Sequence, residues 1–387
     1  MLVGAVLLLC SGDGREEAAR VSLEIEVEAT ESSQETSNAL SEADANNFYG
    51  DHFSVYHCRQ YPEAGSLPDF MVIGVHKGGS TGLYSYLAKH GNIRPAKCKE
   101  TLFFEKSSVF KKGINYYKRL FPDTSLTPGI ITGEGTPGYI RHPYAVVRIA
   151  KTVPNAKFIV SLRDPVERFI SHYVGFYQRQ KTHASCDKFY DRELRILENC
   201  QANYTAAKHV PLVTDVNGET AWDALRRFAD PELLSEALDG DAALTPTQTR
   251  ETCADDDEQC KRRYCLGVKK NLESGLGRSV YVDQLVRWLR FFPAEQILVV
   301  QSEAMFKDEA GALNIVADFL GVRPFSEKEL ASFKNANTGS HHHNSQLSHT
   351  CDRPKIAKFF APENDLLAAV VKAQFPETYA RWIAWQR

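Results

Sequence analysis

The stretch from Asp69 to Leu87 constrains the fold more than any other part of the chain. Asp69-Phe70-Met71-Val72-Ile73-Gly74-Val75 is a short, nearly continuous apolar run, the pattern of a strand buried on both faces. His76-Lys77-Gly78-Gly79-Ser80 breaks it. Thr81-Gly82-Leu83-Tyr84-Ser85-Tyr86-Leu87 then spaces apolar residues at helical intervals. Strand, glycine loop and helix form one βα unit. Such a loop presents backbone N–H groups and the positive end of a helix dipole to an anion. Gly78 and Gly79 let the backbone approach a phosphate with no Cβ in the way. Lys77 adds a mobile positive charge, and Ser80 and Thr81 add hydroxyl donors. The P-loop of nucleotide triphosphatases places its lysine after the glycines; here it comes before them. Taken alone, the motif also fits an ordinary glycine-rich turn.

The alternation recurs along the chain. Ile130 to Glu134 reads as a strand end before the turn Thr136-Pro137-Gly138, and Ala145 to Lys151 reads as a helix. Lys157 to Leu162 is a second buried strand, followed by a helix from Val166 to about Gln178. Gln296 to Val300 is a third, preceded by a helix carrying Leu285, Val286, Trp288, Leu289 and Phe292. Ala310 to Leu320 is a further amphipathic helix. Strands alternating with helices predict an α/β domain, with a central parallel sheet flanked by helices.

A second motif lies at the exit of the second strand: Ser161-Leu162-Arg163-Asp164-Pro165, then Arg168 and Ser171-His172-Tyr173. A guanidinium at a strand's C-terminal end can fork onto a phosphate. Ser171, about two turns into the next helix, can reach the same group. A structural Arg–Asp pair is the alternative.

Together the two motifs resemble the donor-binding elements of the carbohydrate sulfotransferases of the Golgi heparan and chondroitin type. These use 3'-phosphoadenosine 5'-phosphosulfate (PAPS). Gly74 to Thr81 is similar to the family's 5'-phosphosulfate loop, and Arg163, Asp164, Pro165, Arg168, Ser171 and Tyr173 to its 3'-phosphate element. Lys99-Glu100-Thr101-Leu102-Phe103-Phe104 resembles the segment carrying a catalytic glutamate. Gly133 to Tyr139 resembles the family's E-x-[TS]-P-x-Y turn, and Tyr281 to Val300 a later stretch. The likeness covers roughly 68–180 and 275–330. Gly135 stands where heparan 3-O-sulfotransferases have a lysine. The Gln296–Val300 and Arg353-Pro354 neighbourhoods look closer to the N-acetylgalactosamine 4-sulfate 6-O-sulfotransferase branch.

The resemblance implies a P-loop-like nucleotide-binding sulfotransferase fold with PAPS as donor. Lys77, Gly78, Gly79, Ser80, Thr81, Arg163 and Ser171 are then expected to hold the donor. Glu100 is expected to be the general base and Lys77 to stabilise charge in catalysis. Glu134 is the alternative base, and Asn155, Asp164 and His172 are expected to be structural. The scheme needs no metal. The acceptor is expected to be a glycosaminoglycan-like polysaccharide. A net charge of −3 gives no global field for nucleic acid, so a polyanionic sugar needs a local basic patch. Two other readings are a small-substrate kinase of P-loop type, marked by an ATP and Mg²⁺ requirement, and a glycan-binding protein that kept the fold and lost activity.

Residues 1–10 form an apolar run too short to span a bilayer, read as a leader or the remnant of a membrane anchor. Residues 11–50, rich in Glu, Ser, Ala and Asn, are expected to be a disordered stem. Residues 51–387 are the expected sulfotransferase domain, with 186–266 a disulfide-tied insertion. Of nine cysteines, eight lie beyond the leader, five of them between 186 and 265. That usage and the sequon Asn203-Tyr204-Thr205 fit an oxidising compartment: the Golgi lumen with a type II anchor, or secretion. Eight cysteines allow 105 pairings, and none is chosen; their spacing does not suit a zinc site. His341-His342-His343 fits a solvated loop, or phosphate contacts by one of the three, better than a metal site, since adjacent side chains rarely converge on one ion.

Overall fold

The computed structural model describes residues 54–55, 58–180, 184–202, 274–332, 349–383 and 385. All belong to the compact unit Asn38–Arg387; the other unit, Met1–Ser37, lies outside the described residues. So do the leader and stem, the sequon, His341 to His343, and Cys253, Cys260 and Cys265 of the expected insertion.

The strands are β1 (Ser54–Val55), β2 (Phe70–Gly74), β3 (Ile93–Pro95), β4 (Cys98–Lys99), β5 (Ile131–Gly135), β6 (Lys157–Leu162) and β7 (Ile297–Gln301). Five of them form one parallel sheet in the order β3-β5-β2-β6-β7, while β1 pairs with β4 in parallel. The helices that matter for the site are α1 (Ser80–Ala88), α2 (Pro143–Thr152), α3 (Pro165–Gln180), α4 (Cys186–Ala202), α5 (Gly275–Ser279), α6 (Tyr281–Leu289), α7 (Ser302–Lys307), α8 (Glu309–Leu320) and α9 (Arg353–Gln374).

Side-chain alternation on the central strands divides the core into two layers. Phe70 and Val72 of β2 and Ile159 of β6 pack with Leu83, Tyr84 and Leu87 of α1 and Leu313 and Val316 of α8. Met71, Ile73, Phe158 and Val160 point the other way. They pack with Val146 and Ile149 of α2, Phe169 of α3, Leu285 and Trp288 of α6, and Phe360 of α9. All five residues of β2 are buried, as a strand covered on both faces requires. The expected α/β fold is thus present.

Among the described residues two disulfides staple the periphery to this core, Cys58–Cys98 and Cys186–Cys351. The second joins the start of α4 to Cys351, two residues before α9 and 165 positions away in sequence. The expected insertion therefore begins as a helix and is tied to the C-terminal part of the chain. A cross-link closing so long a loop removes much entropy from the unfolded chain. Cys186→Ser with Cys351→Ser is expected to lower unfolding stability by about 2–5 kcal/mol, measured by urea denaturation. An unchanged midpoint would contradict this. Among the described residues no helix is long and apolar enough to cross a membrane.

Candidate functional site

The chain leaves β2 toward β3, crossing β5, whereas it leaves β6 toward β7 on the other side. The crevice between the carboxyl ends of β2 and β6 is therefore the point where the connections part. Open parallel sheets bind ligands at such points. Both motifs open into this crevice, because the glycine loop follows β2 and Arg163 follows β6.

The loop is built to leave the first turn of α1 facing outward. Gly79, at φ 84°, is the N-cap of α1 and supplies no side-chain cap, so the leading N–H groups of the helix stay available to an anion. A Cβ on Gly78 would sit 2.5 Å from the Ser161 carbonyl oxygen and 2.5 Å from Val75 Cγ2, so only glycine fits. The Gly78 carbonyl accepts hydrogen bonds from Ser161 Oγ and Ser302 Oγ, both at 2.5 Å. The loop is thereby clamped from β6 and from α7. Ser80 is buried and Thr81 half-buried on the first turn of α1.

Lys77 is exposed, and its ammonium reaches α3: a Cβ on Gly175 would lie 3.3 Å from Lys77 Nζ. Gly175 and the half-buried Ser171 are four residues apart on one face of that helix. Arg163 Nη1 donates to the Lys77 carbonyl at 3.4 Å. Lys77, Arg163 and the Ser171 face of α3 therefore converge beside the start of α1. Burial lowers the Arg163 guanidinium from its ordinary value, while Glu303, Tyr281 and Asp164 favour the charged form. Its backbone is fixed by Tyr281, whose hydroxyl donates to the Arg163 carbonyl at 2.8 Å.

The other members of the second motif are structural. Asp164 Oδ1 accepts from the N–H groups of Val166 and Glu167 at 2.8 and 3.2 Å, capping α3. Arg168 is fully buried, donates to Ser279 Oγ and the Gly275 carbonyl, and falls to about 10 through burial. It fastens α5 to α3.

Glu100 follows β4 and is 7% exposed. Its carboxylate pairs with Lys99 Nζ at 2.8 Å, and its N–H donates to the Gly135 carbonyl at 3.0 Å. Lys99, itself fully buried, acts on His76 through space, which connects the glutamate to the residue just before Lys77. Among the described residues, the non-glycine positions at positive φ are Lys77 (68°), Glu100 (64°) and Leu102 (55°). A side chain held there costs on the order of 1 kcal/mol or more, and such strain gathers at functional positions. Both expected catalytic residues carry it.

Glu134, the alternative base, has another task. It is fully buried and accepts from Thr101 Oγ1 (2.8 Å), Thr136 Oγ1 (2.6 Å), Tyr117 OH (2.5 Å) and Tyr139 OH (3.2 Å). Four donors occupy its lone pairs and leave none for an acceptor proton. Burial still raises this carboxyl above its ordinary value. Glu134→Ala strands four buried hydroxyls, and removing one buried partner costs about 1–3 kcal/mol. The variant is expected to lose at least about 3 kcal/mol, and a thermal unfolding profile like that of the native chain would refute the assignment.

Sequence motifs did not point to His76, Glu105, Arg141, Arg278, Ser302 or Glu303. Ser302 and Glu303 follow a parallel strand, a position that favours function. Glu303 Oε1 accepts from the Asp164 N–H at 2.8 Å. Arg141 Nη2 donates to Glu105 Oε1 at 2.8 Å. Burial, aided by Arg278, Arg141, Lys99 and Arg168, holds the His76 imidazole neutral, well below its ordinary value.

A family model described as "Sulfotransferase family" matches residues 117–213, a span containing Arg163 and Ser171. The membrane-associated sulfotransferase kil1 of Dictyostelium discoideum is 30% identical over 297 residues, covering 71% of this chain and 60% of that one. Residues 117–213 thus carry the sulfotransferase family's sequence pattern. The chain is also 27% identical over 257 residues to human heparan sulfate glucosamine 3-O-sulfotransferase 3B1, covering 66% of the chain and 47% of that protein. It is 26% identical over 263 residues to human bifunctional heparan sulfate N-deacetylase/N-sulfotransferase 3, covering 67% and 23%. It thus spans 60% or less of the length of each of these relatives.

Proposed function

We propose that this protein transfers a sulfuryl group from PAPS to a hydroxyl of a carbohydrate, a glycosaminoglycan-like polysaccharide. The observation that carries the reading is the convergence of Lys77, Arg163 and the Ser171 face of α3 on the uncapped start of α1. That arrangement offers separate cationic and N–H donors for two anionic ends of one nucleotide. The N–H groups of α1, the glycine loop, Ser80 and Thr81 would hold the 5'-phosphosulfate. Arg163 and Ser171 would hold the 3'-phosphate.

The acceptor oxygen attacks sulfur in line, and its proton passes to Glu100. The bond from sulfur to the bridging oxygen breaks, and 3'-phosphoadenosine 5'-phosphate leaves with the charge. As in phosphoryl transfer, positioning and charge stabilisation dominate. Lys77 and the loop N–H groups meet the charge developing on the bridging oxygen. The two disulfides among the described residues support an oxidising compartment such as the Golgi lumen.

Calorimetry with 3'-phosphoadenosine 5'-phosphate, adenosine 5'-monophosphate and ATP tests the donor assignment. The 3'-phosphorylated nucleotide is expected to bind most tightly. Arg163→Ala is expected to weaken it by about 10–100-fold, the worth of a hydrogen bond to a charged group, and to leave adenosine 5'-monophosphate unaffected. Preference for ATP with Mg²⁺ would overturn the reading in favour of a kinase.

A further inference from the structure

Residues beyond α9 return to β7, the last strand in the sheet order, and the motifs do not include them. A short helix, Pro376–Tyr379, begins the return. The chain then meets Val299, Gln301 and Glu303 in turn. Thr378 Oγ1 donates to the Val299 carbonyl at 3.1 Å. The buried amide of Gln301 accepts the Ile383 N–H and donates to the Ile383 carbonyl, both at 2.7 Å. Two opposed bonds to one residue fix the direction of the segment as well as its position. Two residues on, the half-buried Trp385 donates from Nε1 to Glu303 Oε2 at 3.4 Å.

This contact reaches the donor arginine from behind. The peptide group between Arg163 and Asp164 is held at both ends: its carbonyl accepts from Tyr281 OH at 2.8 Å, and its N–H donates to Glu303 Oε1 at 2.8 Å. Trp385 touches both holders. Its ring meets that of Tyr281 edge to face, with centroids 5.9 Å apart, a favoured aromatic geometry. Its N–H occupies the second oxygen of Glu303. Trp382 backs the indole, with ring centroids 5.0 Å apart. Glu303 and Tyr281 also favour the charged Arg163 guanidinium through space. With one oxygen on the Asp164 N–H and the other on the indole, Glu303 is directed at the backbone and leaves the guanidinium to a phosphate.

We propose that Trp385 is a positioning residue for the donor: through Glu303 and Tyr281 it sets the Arg163–Asp164 peptide so that Arg163 meets the 3'-phosphate. The inference rests on the assignment of Arg163 to that phosphate, and adds a residue 222 positions away in sequence to its support. The 5'-phosphosulfate side of the donor, assigned to the glycine loop and the start of α1, does not depend on Trp385. The indole therefore acts on selection of the 3'-phosphorylated nucleotide, and not on nucleotide binding in general.

The test is calorimetry with 3'-phosphoadenosine 5'-phosphate and adenosine 5'-monophosphate on the full chain and its variants. Trp385→Phe keeps a ring beside Tyr281 and removes the N–H; Trp385→Ala removes both. Trp385→Phe is expected to cut the preference for the 3'-phosphorylated nucleotide about 3–10-fold, the net worth of one hydrogen bond, and Trp385→Ala at least as much. Affinity for adenosine 5'-monophosphate is expected to stay within about twofold in both. In an Arg163→Ala background Trp385→Phe should change the preference no further, because residues that act through one another do not add. Thr378→Val loosens the same segment away from Arg163, and should lower the thermal midpoint while keeping the preference. An undiminished preference in both Trp385 variants, equal weakening of the two nucleotides, an equal effect of Thr378→Val, or an additive loss in the double variant would overturn the inference. A native chain with no preference for the 3'-phosphorylated nucleotide strikes the donor reading instead, whereas a native preference that survives Trp385→Ala strikes the inference alone.

Discussion

Glu100→Gln is expected to lower kcat for sulfate transfer by about 10²–10⁴-fold, the usual contribution of a positioned general base. Glutamine keeps the length and shape of the side chain and can still accept from Lys99, 2.8 Å away in the native chain. It cannot take the acceptor proton. The affinity for 3'-phosphoadenosine 5'-phosphate should therefore stay within about twofold, and the thermal midpoint should barely move. The backbone at Glu100 is held at φ 64° with its N–H on the Gly135 carbonyl, so the carboxylate is aimed by the chain itself. Steady-state kinetics beside nucleotide calorimetry decides the matter. Near-native kcat in Glu100→Gln removes Glu100 from the role, and Glu134, with four donors on it, cannot take its place.

Lys77→Gly is expected to lower kcat by about 10²–10³-fold, the typical loss for one donor aimed at developing charge. Glycine separates the two roles of this position. It removes the ammonium that lies against Gly175 and also relieves a backbone held at φ 68°, where glycine is at ease. The variant should therefore be at least as stable as the native chain while being nearly inactive. Lys77→Ala loses the same charge but keeps the strain, so it should be the less stable of the two. Urea denaturation together with initial rates makes the comparison. An active Lys77→Gly variant would show that the ammonium is not part of the chemistry.

The sequence made the central sheet legible because β2, β6 and β7 are short buried runs ending in loop residues, and α1, α3 and α8 carry helical spacing. The proposed donor side could be picked out for a related reason. Gly78, Arg163 and Asp164 stand at strand ends, where residue type and position already limit the chemistry. Strands β3 and β4, of three and two residues, are too short to leave a periodic signal. The role of Glu134 was hidden because Thr101 and Tyr117 lie far from it in sequence and meet it only after folding. The Cys186–Cys351 pair was one of many possible pairings, fixed by the packing of α9 against α3 and α6. The 22-residue helix α9 was missed because Pro362 and mixed charges blur its pattern. Arg141 and Arg278 belong to no motif, and His76 lies within the glycine-loop motif without a role assigned to it. The turn at 138–141 and the end of β2 bring them together, and no local spacing reports that.

Positive φ at Lys77 and Glu100 is the feature least visible in the sequence, since lysine and glutamate are ordinary residues in ordinary places. It places the same kind of strain at both proposed catalytic residues, and strain of this kind persists only where surrounding structure enforces it.

Transfer of radiolabelled sulfate from PAPS to an acidic polysaccharide, followed together with release of 3'-phosphoadenosine 5'-phosphate, tests the central claim most directly. The account predicts one sulfate transferred for each nucleotide released, at a rate lowered at least about a hundredfold in Glu100→Gln and independent of Mg²⁺. Nucleotide bound with no label on any polysaccharide, or phosphate transferred from ATP in place of sulfate, would contradict it.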